Sequence, residues 1–249
     1  MFSFIKKYLL LGMLFLVFCG CGCLKVNASS PTVDLKMDSL DLCKGKEDVL
    51  SEKALYRKLS QLGRSKSSPR ILIPEVAQYI DHPSPKVRAK VLWLLGELGF
   101  KDSKAIAPYV VRIADELIST DAKLRERAVG ALGRIGRGSF KLVKPYIAAI
   151  LRKAEDLHPN VRMNFIWACE NIATTAPDAF DSSMEIFARL LDDTGIRVRR
   201  ETPEIFRVIG KRRPDLVEPY ISKLTAMSKA DPDAVVRIHS AGAIKASIV

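Results

Sequence analysis

Arginine returns along the chain at a nearly fixed interval: Arg88, Arg125, Arg162 and Arg199 stand 37 residues apart, and Arg237 follows after 38. Each follows an apolar residue (Val87, Leu124, Val161, Val198, Val236) and trails an aspartate: Asp81, Asp121, Asp156, Asp192 and Asp231. Pro108-Tyr109 keeps the same phase, recurring as Pro145-Tyr146 after one period and as Pro219-Tyr220 after two more. A period of this length constrains the fold severely. It describes stacked helical pairs, each burying its apolar side on its neighbours, and it excludes a chain wrapped once around a single central core. No catalytic constellation repeats five times over, so the beat is structural.

Within each period the pattern reads as helix A, turn, helix B. Prolines suit a first helical turn, where a missing N–H costs no hydrogen bond, so helix A is predicted to begin near Pro74, Pro108, Pro145 and Pro219, with Ser182 in the fourth repeat. Turn and N-cap residues follow: Asp81-His82-Pro83, Ser119-Thr120-Asp121, His158-Pro159-Asn160, Asp192-Asp193-Thr194-Gly195 and Asp231-Pro232-Asp233. Helix B then runs to Gly99, Gly136, Ala173 and Gly210. Counted from the residue before each arginine, positions 4, 5, 8 and 11 form one apolar face. They are Val91, Leu92, Leu95 and Leu98; Ala128, Val129, Leu132 and Ile135; Phe165, Ile166, Cys169 and Ile172. Thr202-Pro203 interrupts the stripe in the fourth copy and predicts a bent helix and an irregular superhelix there. A half repeat from Val49, closed by Gly63 as a C-terminal cap residue, precedes the first pair.

The first 48 residues are of another kind. Lys6-Lys7 precede an uncharged run from Tyr8 to Leu24, and Val26-x-Ala28 supplies the small residues that a signal peptidase reads, so residues 1–28 are expected to direct export or hold the membrane. Cys19, Cys21 and Cys23 alternate with Gly20 and Gly22 at the end of that run, which resembles a bacterial lipoprotein signal; the resemblance implies lipidation at Cys21, after Gly20, with Phe18 where leucine is usual. Lipidation, plain cleavage after Ala28 and retention as an anchor all stay open. Residues 29–48 are polar and aperiodic and read as a flexible tether. Cys43 and Cys169 are the other two cysteines; export permits a disulfide between them, while the periodicity puts Cys169 on a buried face as a free thiol. The net charge of +12 includes three lysines and no acid in residues 1–28, which leaves +9 on the remainder. That surplus attracts anionic partners without choosing among them.

The aspartate-apolar-arginine turns and the 37-residue spacing resemble HEAT repeats over residues 49–249. The resemblance implies an all-α, right-handed solenoid of about five helix pairs plus the half repeat. It also implies a ladder of aspartate and arginine, carried onto Asp81 with Arg88, Asp121 with Arg125, Asp156 with Arg162, Asp192 or Asp193 with Arg199, and Asp231 or Asp233 with Arg237. HEAT proteins serve mostly as binding scaffolds, so no enzyme activity and no cofactor are expected. His82, His158 and His239 are spread too widely along a solenoid to ligate one metal.

Positions 3, 6 and 10 of helix B share a second face, which in such solenoids lines the concave side. They are Lys90, Trp93 and Glu97; Arg127, Gly130 and Arg134; Asn164, Trp167 and Asn171; Glu201, Glu204 and Val208. Trp167 with Asn171 is similar to the tryptophan and asparagine ladder of armadillo repeats, where the amide bonds a peptide backbone; Trp93 is followed by Glu97, so only one repeat carries the pair. Core packing of the two tryptophans is the alternative. Lys90, Arg127 and Arg134 at one end, and Glu201 and Glu204 at the other, suit a protein or peptide segment of fixed direction. Other readings are a duplex-DNA groove like that of HEAT-like alkylpurine DNA glycosylases, opposed by the export signal and the mixed charges, and a phycobilin lyase, which only the fold favours. Lys211-Arg212-Arg213 either complements a helix C-terminus or meets anionic headgroups. The last helix, ending without a polar cap, leaves room for self-association.

Overall fold

The computed structural model describes residues 51–248. The export or lipoprotein segment with Cys21, the tether, Cys43 and the first residues of the half repeat lie outside the described residues. No helix among the described residues is long and apolar enough to cross a membrane. The chain is helical throughout the described region, and its longer helices form two layers. Helices α3 (Pro85–Lys101), α6 (Ala122–Gly138), α9 (Pro159–Ala173), α11 (Ile196–Gly210) and α14 (Ala234–Ser247) are the B helices. Each packs on the next in chain order. The A layer is α2 (Pro69–Ala77), α4–α5 (Ser103–Ile106, Val110–Asp115), α7–α8 (Phe140–Val143, Ile147–Leu151), α10 (Met184–Leu190) and α12–α13 (Pro214–Val217, Ile221–Ala230). The leading α1 (Glu52–Leu62) rests on α2 and α3.

All twelve positions of the predicted apolar face are buried, from Val91 to Ile172. The buried strip is wider than predicted, because a B helix is flanked by two other B helices as well as by its own A segment. Leu94, Ala131 and Ala168, between the expected positions, are 1%, 2% and 1% exposed. Each buried leucine or phenylalanine contributes about 1.5–3 kcal/mol, and the core is built as a row of such interfaces. Phe187 anchors the fourth layer, with Phe165 and Phe180 at ring separations of 5.8 and 5.5 Å. Cys169 is fully buried with no disulfide partner among the described residues, and burial pushes its ionisation well above the ordinary thiol range.

One local expectation is corrected. The repeated prolines do not open helix A. Pro108, Pro145 and Pro219 sit one turn inside it, in 3-10 turns Ala107–Tyr109, Lys144–Tyr146 and Glu218–Tyr220. A proline offers no N–H to the carbonyl four residues back and crowds that turn, so the A segment tightens there and resumes in a new direction. Pro74 likewise lies inside α2, which starts at Pro69. Helix α11 runs through Pro203, and beside it the Thr202 hydroxyl shares its proton between the carbonyls of Val198 (2.8 Å) and Leu190 (3.2 Å). Gly63 is the C-cap of α1, as expected, in right-handed geometry (φ −64°, ψ −18°). A Cβ there would lie 2.7 Å from Leu94 Cδ2, the end of a side chain.

Candidate functional site

The turn edge of the solenoid fixes how one B helix sits against the next. At the first four turns the arginine after the apolar mark does two things. Its Nη1 donates to carbonyls five or six residues back in its own turn, as Arg162 does to Asp156 (2.8 Å) and Leu157 (3.3 Å). Its Nε and Nη2 reach the next repeat: Arg125 to Asp156 at 2.7 and 2.9 Å, and Arg162 to Asp193 at 2.6 and 2.7 Å. Arg199 continues the chain to Asp231 at 3.5 Å. The ladder therefore links one repeat to the next. The pairing of Asp156 with Arg162, and its equivalents, is corrected: the aspartate offers its own arginine only a main-chain carbonyl, because its carboxylate points back toward the preceding turn.

For Arg125, Arg162 and Arg199 the partner is thus the residue six before the next arginine. That position holds Asp156, Asp193 and Asp231, but His82 and Ser119 in the first two repeats. Arg88 pairs with Glu116 at 3.0 Å instead, and Asp81 pairs with Arg112. Asp121 caps α6, accepting from the amides of Lys123 and Leu124. Among the described residues Arg237 meets its own turn alone, donating to the carbonyls of Asp231 (2.6 Å) and Pro232 (3.2 Å). The hydrogen bonds they donate to Asp156 and Asp193 hold the Arg125 and Arg162 guanidinium groups above their ordinary pKa.

With the helices so fixed, positions 3, 6 and 10 of the B layer fall on one partly open face. Trp93 is half-buried against the core, with Lys90 Nζ 4.4 Å from its ring centroid. The same ammonium lies 5.7 Å from the Tyr56 ring of α1. Arg134 pairs with Glu97 across the first two B helices at 2.5 Å, and Arg127 lies 3.9 Å from Glu126. In the third repeat Trp167 is 39% exposed, and its indole N–H donates to Glu201 at 3.2 Å. Glu204 pairs with Arg207 at 2.5 Å.

The asparagines do not present free amides. Asn164 is buried and donates to the Asn160 carbonyl at 3.0 Å. Asn171 donates to the Trp167 carbonyl at 2.8 Å and accepts from Arg137 at 3.4 Å. The two residues meet as the sequence spacing implies, but the amide is committed within the helix. Trp93 and Trp167 make no contact with each other; one is covered by a lysine and the other engages a glutamate.

Sequence reasoning missed Tyr56, Arg207 and above all Glu170. One Glu170 oxygen is buried without a hydrogen-bond partner. Burial, then the Glu201 and Glu204 carboxylates, raise its pKa to about 8 against the lowering influence of Arg207. A signal was present: Glu170 occupies position 9 of helix B, which holds Gly96 and Gly133 in the preceding repeats. Those glycines allow close approach of the next B helix, since a Cβ on Gly96 would lie 2.7 Å from Ala131 Cα.

Elsewhere, side chains singled out by sequence serve the scaffold. The ring nitrogens of His82 and His158 accept from the amides of Ser84 (3.0 Å) and Asn160 (3.3 Å), and His239 Nδ1 lies 2.7 Å from the Arg200 carbonyl. Of the Lys211-Arg212-Arg213 triplet, Arg213 is tied to Asp178, Asp181 and Asp215, joining two repeats. It is not available to headgroups.

A family model described as HEAT-like repeat matches residues 85–135, from the start of α3 nearly to the end of α6. A designed armadillo repeat protein is similar in structure, with a TM-score of 0.61 at 16% identity over 80% of this chain and 96% of its own. The fold is a HEAT and armadillo-type solenoid. A second designed armadillo repeat protein, solved in complex with peptide (KR)4, matches this solenoid with a TM-score of 0.60 at 20% identity, over 78% of this chain and 92% of its own. A third, designed for modular peptide recognition, scores 0.57 at 15% identity over 79% and 94%. No curated protein matches the chain in sequence.

Proposed function

We propose that this protein is a non-enzymatic repeat scaffold of the cell envelope that holds a protein or peptide segment along the open face of its B helices. One observation carries the reading: Trp167, the largest side chain available, stands 39% exposed between the B helices of the third and fourth repeats. An exposed tryptophan beside polar groups is the usual anchor of a protein interface. Glu201 holds the indole in place, so the anchor is oriented before a partner arrives. The structural likeness to a designed armadillo protein solved with a bound (KR)4 peptide supports a segment lying across successive repeats. Acids on the same face, Glu97, Glu201 and Glu204, weigh against a duplex-nucleic-acid groove, which needs a continuous basic stripe. Envelope association rests on the Lys6-Lys7 and Tyr8–Leu24 pattern.

Affinity capture from a detergent-solubilised envelope fraction, run with the wild type and with Trp167→Ala, tests the reading. Loss of the captured partner in a variant of unchanged helical content is the expected result. Retention of the same partner at the same yield would overturn it.

A further inference from the structure

At the N-terminal end of the B layer, α1, α3 and the start of α6 enclose a cavity of ≈ 670 Å³. Tyr56 and Trp93 supply its aromatic walls, and Lys86, Lys90, Lys123 and Arg127 its cations. Two acids also line it, and both are engaged: Asp121 caps α6, and Glu52 lies 3.7 Å from Lys86. Lys123 is held by Glu126 at 2.7 Å.

Lys90 differs from the cations that tie neighbouring repeats together, and, unlike the half-buried Lys153, whose ammonium donates to the Leu117 carbonyl at 2.8 Å, it faces a cavity. The ladder arginines Arg88, Arg125, Arg162 and Arg199 meet carboxylates, as do Arg112, Arg134, Arg200, Arg207 and Arg213. Lys90 has no carboxylate within ion-pair distance among the described residues; its ammonium is half-buried between two rings. Burial, with Arg64 and Arg127 adding to it, lowers its pKa. A half-buried cation with cationic neighbours and no counter-charge is an incomplete electrostatic arrangement. A carboxylate entering the cavity would complete it, and the methylenes that carry the carboxylate would lie on Trp93 and Tyr56.

We infer that this cavity is an acid-recognition subsite, in which Lys90 and Arg127 take the carboxylate of a glutamate or aspartate side chain on the partner segment. The inference rests on the reading of the open face as a peptide groove and gives that groove a direction. An acidic residue of the ligand docks on α3, and the segment continues toward Trp167 on α9. Two helix spacings separate these positions, roughly 20 Å at about 10 Å each. An extended chain covers that span with about six residues.

The test uses the full chain in a non-ionic detergent at low salt, with a fluorescein-labelled alternating Gly-Glu peptide, an alternating Gly-Lys peptide and phosphatidylglycerol vesicles as probes. Lys90→Gln is expected to weaken binding of the Gly-Glu peptide about tenfold, the weight of one charge-assisted contact in a partly dry site. Lys90→Arg restores most of it. Lys141→Gln, an exposed lysine of α7, changes it by less than about twofold, as for an isolated surface charge. Should Lys90→Gln alter the helical content, Arg127→Gln supplies the same comparison.

Equal binding of the Gly-Glu peptide by wild type, Lys90→Gln and Arg127→Gln overturns the inference. So does Lys90-dependent binding of the vesicles in place of the peptide. If the Gly-Glu peptide fails to bind while Trp167-dependent partner capture persists, the subsite falls and the groove stands. If capture is indifferent to Trp167→Ala, the groove reading itself falls.

Discussion

The first two seams between B helices and the third use the same position of the repeat for opposite purposes. Between α3, α6 and α9 the position holds Gly96 and Gly133, which let the next helix come so close that a Cβ on either glycine would collide with the Ala131 or Ala168 backbone. Between α9 and α11 it holds Glu170, half-buried, with one buried oxygen unpaired and Glu201 and Glu204 nearby. The first arrangement gains dispersion contact and excludes water. The second gives up that contact and leaves acids beside the exposed Trp167. A repeat fold tolerates this because each interface is nearly independent, so one seam can be made costly without unravelling the others.

The largest effect that would sharpen this contrast comes from the ladder, which spans both kinds of seam at the turn edge. Arg162→Ala removes a two-pronged contact to Asp193, whose side chain is 7% exposed, and also leaves the Asp156 and Leu157 carbonyls without their donor. The expected loss in chemical denaturation is about 4 kcal/mol, as for one partner of a buried ion pair. Arg125→Ala, across the tight seam, should cost about the same; a much smaller loss there would show that close helix packing makes the ladder redundant.

Next comes the acid. The pKa of Glu170 is raised in the folded state to about 8 from an ordinary 4.5. Between those values the folded protein keeps a proton that the unfolded chain releases, so stability falls as pH rises through this window and levels off above it. The full shift corresponds to roughly 5 kcal/mol, and about 3 is expected where the seam borders solvent. Thermal unfolding at about pH 5 and about pH 8.5 should therefore show the wild type weakening while Glu170→Gln stays nearly level. A parallel fall in both proteins would remove Glu170 from the explanation.

The smallest effect breaks the comparison from the other side. Gly133→Ala adds one methyl into the closely packed second seam and should cost about 2 kcal/mol, in the range of overpacked cores. A neutral result would mean that α6 and α9 can slide apart, and that the glycine is not what sets their spacing.

Much of this was legible in advance. The twelve face positions, the buried Cys169 and the five turns follow from a 37-residue period and a 3.6-residue helix. The prolines misled because their sequence signature suits a helix start equally well, and only the packed A segment shows a tightened turn one turn in. The ladder residues were recognisable, but their partners were not: a carboxylate six residues away along the chain and one 31 residues away look alike until the repeats are stacked. Glu170 was passed over because the apolar stripe was counted within one helix, whereas its burial comes from the neighbouring one.

A 37-residue period and local backbone geometry are enough to make the chain a stack of helical pairs and to choose which residues face inward. Which charges meet is settled only once the repeats are stacked. That outcome depends on the spacing between successive repeats: it satisfies Arg125, Arg162 and Arg199 in turn, leaves Lys90 without a carboxylate partner among the described residues, and sets the half-buried Glu170 among other acids.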